Sequence, residues 1–153
     1  MDLPGLINDA MQPLFGALPL NKAMPHLLPK RPADQVVLKF AYSIVANPAI
    51  SAHPELIAGI WLYADDLESS HKISQSITNQ SGSFWHAIMH RREGDFDNAL
   101  YWYRQAGQHP VMARIPDFEP NKFVEMCRAG DEKAVEIQRQ EWAKLFEWCA
   151  LQL

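Results

Sequence analysis

The run Ser83-Phe84-Trp85-His86-Ala87-Ile88-Met89-His90-Arg91-Arg92-Glu93-Gly94-Asp95-Phe96-Asp97-Asn98-Ala99-Leu100-Tyr101-Trp102-Tyr103-Arg104-Gln105-Ala106-Gly107 decides the fold. It holds two helix-length segments separated by Gly94-Asp95 and closed by Gly107. Glycine adopts the left-handed conformation that ends a helix, and aspartate accepts the free amides that begin the next one. The spacing therefore predicts a helix over 84–93, a tight turn, and an antiparallel helix over 96–106. The same break occurs upstream. Ala64-Asp65-Asp66-Leu67-Glu68-Ser69-Ser70 aligns with Glu93-Gly94-Asp95-Phe96-Asp97-Asn98-Ala99 at a period of 29, so that Asp66 matches Asp95, Leu67 matches Phe96 and small Ser70 matches small Ala99. A weaker third copy begins at Ala129-Gly130-Asp131, with Ala134 as its small residue. Repetition of this kind writes stacked helix hairpins.

Outward from that centre the periods stay helical. Pro32 suits a first turn, and Val36, Val37, Phe40, Ile44 and Val45 recur at three- and four-residue spacing until Asn47-Pro48. Pro54 opens a second segment running through Ile60 and Trp61 to Asp65, and a third runs from Leu67 to Ile77 before the turn-rich Asn79-Gln80-Ser81-Gly82. Past the breakers Pro110, Pro116 and Pro120, a short helix is expected near Asn121–Arg128. A long one comes next, from Asp131 to about Leu151, with Val135, Trp142, Leu145, Phe146 and Cys149 inward. Six prolines in the first 32 residues argue against a long regular element there, so residues 1–32 read as an irregular arm with short helical turns that drapes its apolar groups over the helical body or lies in a partner's groove. No segment alternates with period two. The expectation is an all-α single domain over 1–153: a Pro-rich arm (1–32), a helical-hairpin core (33–110) and C-terminal helices (111–153).

Composition bounds the function. With 153 residues, 48% hydrophobic and 21% charged, the chain forms a core, and its net charge of −4 gives no field to attract a phosphate backbone or an anionic bilayer. Neither nucleic acid nor membrane is an expected partner. There is no basic-then-apolar leader and no CxxC pair, so Cys127 and Cys149 read as packed, reduced thiols in a cytoplasmic protein.

Gly94-Asp95-Phe96-Asp97-Asn98-Ala99, with Tyr103, Ala106 and Pro110, resembles the second half of a tetratricopeptide (TPR) repeat. Ala99, Tyr103 and Ala106 take the small, aromatic and small positions where its helices touch. The longer string from Ser83 to Phe96, with Asn98-Ala99, Tyr101-Trp102, Arg104 and His109-Pro110, resembles the signature of a group of small uncharacterised bacterial and fungal proteins, which brings no activity with it. The TPR resemblance implies a right-handed α–α superhelix fragment and a protein- or peptide-binding role. It places His86 and His90 at buried positions, and Phe84, Ile88, Arg91 and Arg92 along a concave groove where the arginines would clamp an acidic or C-terminal peptide.

A competing chemistry comes from the residues alone. His86, His90 and Glu93 stand at i, i+4 and i+7, one helical stripe, which suits a half-shell for a divalent metal. His71 and Asp66, one repeat earlier, add ligands if the two hairpins pack together. The rival reading is thus a small metal-dependent, hydrolase-like enzyme with His71, His86, His90 and Glu93 as its reactive groups. It is not a HExxH protease, because Ala87 comes directly after His86. No phosphate loop or nucleophile elbow occurs, so no organic cofactor is expected. The plainest alternative makes the histidines core groups bonded to Tyr101, Tyr103, Asn98 or backbone carbonyls, and lets the arginines pair with Glu93, Asp95 or Asp97.

Overall fold

In the computed structural model, which describes residues 1–153, eight α-helices succeed one another without a strand: α1 (Gly5–Ala17), α2 (Gln35–Val45), α3 (Pro54–Tyr63), α4 (Leu67–Ser74), α5 (Gln80–Arg92), α6 (Phe96–Ala106), α7 (Pro120–Arg128) and α8 (Lys133–Leu151), with a 3₁₀ turn at Pro110–Arg114. No helix is long and apolar enough to cross a membrane.

The repeated break is built identically three times. Asp65, Gly94 and Gly130 sit at φ of 62°, 86° and 69°. The amide of the next residue, an aspartate each time, reaches back to a carbonyl five residues earlier: Asp66 to Trp61, Asp95 to His90, Asp131 to Met126. These are Schellman closures, in which one left-handed residue satisfies the last carbonyls of a helix. The aspartate then caps the next helix, Asp66 accepting from the Ser69 amide and Asp95 from the Asn98 amide. Asp131 accepts from the Lys133 amide at the start of α8. Ser70 and Ala99, the matched small residues, are both wholly buried, and the Ser70 hydroxyl donates to the Ala58 carbonyl across the α3–α4 contact.

α5 is the axis of the molecule. Every residue from Ser81 to Arg92 except Ser83 is buried, because α3, α4 and α6 pack around it. Gly59 of α3 makes one close approach possible: a Cβ there would meet Trp85 and Phe146 at 2.9 Å. Trp142 of α8 stacks on Phe146 and donates its indole N–H to the Gly59 carbonyl at 2.7 Å. A continuous cluster of 33 buried apolar residues joins α1, α3, α5 and α8 into one core.

Four expectations need correction. The first 32 residues are not irregular throughout, since α1 is a 13-residue helix that carries Pro13 inside it. Ile7, Ala10, Met11 and Leu14 form its buried stripe, whereas Pro13 and Asp9, whose carbonyl loses the proline's missing amide, lie off that stripe. Both are exposed, so that carbonyl is not sealed in the core and the proline is tolerated. The stretches outside a helix there are residues 1–4 and 18–34. Asp34, not Pro32, begins α2, accepting from the Val36 and Val37 amides. Gln80, Ser81 and Gly82 belong to α5, capped by Asn79, rather than to a turn. Val135 is half-buried, and the inner face of α8 is instead marked by Gln138 and Glu141.

Candidate functional site: a three-histidine cluster between the hairpins

Packing α4 against α5 brings His71 to His86 and His90. The His86 and His90 rings, one helical turn apart, lie parallel (8°) with centroids 4.9 Å apart. His71 approaches both at steep angles, at 5.0 and 5.3 Å. One nitrogen from each ring lies within 4.8 Å of the other two. In a tetrahedral zinc site with Zn–N near 2.0–2.1 Å, the nitrogens stand roughly 3.3 Å apart, so modest ring rotations close the shell. Trp102 of α6 stacks on His86 at 4.0 Å and walls the cluster on one side.

Each ring is held differently. The His90 Nδ1–H donates to Glu93 Oε1 at 2.6 Å, which leaves the Nε2 lone pair free. His71 Nε2 accepts from the exposed Gln75 amide at 3.0 Å. His86 is 5% exposed, and neither of its ring nitrogens has a hydrogen-bond partner in the protein. Burial, with the neighbouring His90 and His71, pushes its pKa down to about 4. At neutral pH the ring is therefore an uncharged donor.

Two expected ligands take other work. Asp66 caps α4, engaging the Ser69 amide and hydroxyl at 3.1 and 2.8 Å, and does not join the trio. Glu93 adjoins the cluster only through His90. The expected hydrogen bonds from the histidines to Tyr101, Tyr103 or Asn98 are not made.

The groove assignment is overturned by burial. Phe84 is 0% exposed and Ile88, Arg91 and Arg92 1%, so none of the four faces a groove. Neither arginine pairs with Glu93, Asp95 or Asp97. Arg91 Nη1 donates to Glu141 Oε1 and to the Tyr103 hydroxyl, both at 2.6 Å, and Nη2 to Gln138 Oε1 at 2.9 Å. The Tyr103 hydroxyl donates in turn to Glu141 Oε2 at 2.5 Å. Burial alone would lower the Arg91 pKa, but the Glu141 carboxylate outweighs it and keeps the guanidinium charged. Arg92 donates to the Leu62 carbonyl at 2.9 Å, to Asp65 Oδ1 at 2.6 Å and to the His26 carbonyl at 3.3 Å. The pair ties α5 to α3, α6, α8 and residues 18–34. Gln138 extends the tie, donating to the Met24 and His26 carbonyls.

A second buried pair, Ser81 and His109, has the look of a nucleophile and its base: Oγ and Nε2 are 2.9 Å apart. The tautomer is wrong for that role. His109 Nδ1 accepts from the Val111 amide at 3.2 Å, so the proton sits on Nε2 and is donated to Ser81. A serine hydrolase is excluded here. The larger surface clefts lie away from the histidine trio; one of about 680 Å³ runs beside residues 25–34 and Asp65.

The sequence pattern named all three histidines but left His71 conditional on packing. It missed Glu141 and Gln138, whose only signal is that they interrupt the apolar face of a long helix. Comparison with protein-family models, with curated proteins and with solved structures finds no match to this chain.

Proposed function

We propose that this protein binds a divalent transition-metal ion through His71, His86 and His90, and that its function is exercised through that ion. One observation carries the reading: three imidazoles from α4 and α5 bring a nitrogen each within 4.8 Å of the other two, and His86 makes no hydrogen bond within the protein. The nitrogens of His86 are neither tied to the fold nor sealed from solvent, so beside two other imidazoles they are open to a ligand. The Glu93–His90 bond has the form of the outer-shell contact that orients a metal-ligating imidazole. Borderline ions of the zinc type suit three imidazoles.

The recurring Schellman turns support reading the body around this site as a TPR-like stack of hairpins. Its residues proposed for peptide capture are engaged internally, so the metal reading stands ahead of the interaction-module reading. The two buried free thiols, Cys127 and Cys149, fit a reducing, cytoplasmic setting.

The test is elemental analysis and zinc titration of the full-length protein purified without chelator. We expect one tightly held ion per chain, lost in His86→Leu with the helical circular dichroism unchanged. A wild-type protein that neither retains nor takes up zinc, cobalt or iron defeats the proposal.

A further inference from the structure

We infer that the ion held by His71, His86 and His90 keeps one coordination position that no side chain of this protein fills, and that a small monodentate anion binds there. The inference rests on the metal-binding reading above and adds the shell's composition and the class of its exchangeable ligand.

Every carboxylate near the trio is already engaged. Glu93 Oε1 holds His90 Nδ1. An ion on the Nε2 side of the same ring lies beyond the imidazole from Glu93, roughly 6 Å from that oxygen by ring dimensions and ordinary metal–nitrogen lengths, so one carboxylate cannot serve both atoms at once. Asp95 uses both oxygens at the start of α6, Oδ1 accepting from the Asn98 amide at 3.3 Å and Oδ2 from its side-chain amide at 2.7 Å. Asp66 is closed off in the same way by Ser69, and Asp65 by Arg92. His90, Glu93 and Asp95 do form a second cluster, but it is built on His90 Nδ1, which already donates to Glu93, and on two acids at the surface that already have partners.

The shell that remains is three neutral imidazoles. A zinc-type ion prefers at least four donors, and with no anionic protein ligand it keeps its full double charge. The nearest carboxylate, Glu93, acts only through the His90 ring, Trp102 covers His86, and His86 and His90 are almost wholly buried. Charge interactions are stronger where water is excluded, so an anion is favoured over a neutral fourth ligand. Access is from the His71 side, where that ring is half-buried and Gln75 is exposed.

The experiment loads the full-length protein with cobalt(II), whose visible absorption reports coordination, and titrates it with sodium azide. We expect the visible bands to shift in a saturable way with one azide per cobalt. The Glu93→Gln variant should keep that azide response while binding cobalt about 10- to 100-fold more weakly, as loss of an outer-shell partner does. Stoichiometric cobalt whose spectrum ignores azide in the wild type overturns the inference and leaves the metal site standing. An azide response that appears only in Glu93→Gln also overturns it, by showing Glu93 to be the fourth ligand. Failure of the wild type to bind cobalt at all overturns the metal reading itself, and this inference with it.

Discussion

Two pairs of polar side chains share α5 and are both buried, yet they are provisioned in different ways. Arg91 and Arg92 meet two carboxylates, a phenol, an amide and two backbone carbonyls drawn from α3, α6, α8 and residues 18–34. His86 and His90 face His71, with a single protein hydrogen bond between the two of them, from His90 to Glu93. Each arginine engages both of its Nη atoms and leaves only its buried Nε unpartnered, and a group tied to that many elements holds structure together. One left unmatched in a place the fold keeps for it is available to something outside the chain. Burial alone does not separate the two cases; the partners do.

The arginine side of this contrast should show the largest effect. Glu141→Ala removes the carboxylate that faces Arg91 and leaves a charge in the core. Breaking a buried pair from one side typically costs about 3–5 kcal/mol, a large part of the total stability of a domain this size. Urea denaturation should show the midpoint falling accordingly. A loss below about 1 kcal/mol would mean that Gln138 and Tyr103 suffice for Arg91, and that Glu141 is not the lock.

How much of this arrangement can be read from the chain depends on how local each cause is. Asp65-Asp66, Gly94-Asp95 and Gly130-Asp131 carry both the left-handed residue and the cap within two positions, so the hairpins are legible. α1 is hidden behind Pro13, although Ile7, Ala10, Met11 and Leu14 spell a helical stripe; a proline on the exposed face is weaker evidence than the stripe. The orientation of α5 is not legible. A helix surrounded on every side has no apolar face to betray its register, and the partners of Arg91 lie 47 and 50 residues away on α8. Charge therefore points to a surface that does not exist. The histidine trio is intermediate, with His86 and His90 set by one helix and His71 by the packing of two hairpins.

The Ser81–His109 pair, matched like the arginines but made of one titratable ring, sharpens the comparison through pH. Burial, then the Arg114 charge, lowers the His109 pKa to about 4, below the unfolded value near 6.5. The folded state thus prefers the neutral ring, which donates from Nε2 and accepts at Nδ1; protonation forfeits the bond from Val111. The stabilisation is complete above pH 6.5, declines as pH falls toward 4, and changes no further below it, for a total of up to about 3 kcal/mol. Denaturation midpoints measured from pH 7 to 4 should fall over that window, and His109→Gln should flatten the fall. An unchanged slope in the variant would place the acid sensitivity elsewhere.

The smallest expected effect on stability is the most informative about the site. His86→Leu replaces a ring with no protein hydrogen bond by an apolar side chain of similar size, so it removes a desolvation cost and breaks no bond. Metal-free protein should change by less than about 1 kcal/mol, in either direction. Ion binding should disappear. The two readouts must part company: stability kept and metal lost is what an unmatched, reserved group produces. If His86→Leu instead destabilises the metal-free protein as severely as Glu141→Ala, then His86 is holding the fold through its contacts with Trp102 and His90. The contrast between the two pairs on α5 would then be one of chemistry without a difference in role.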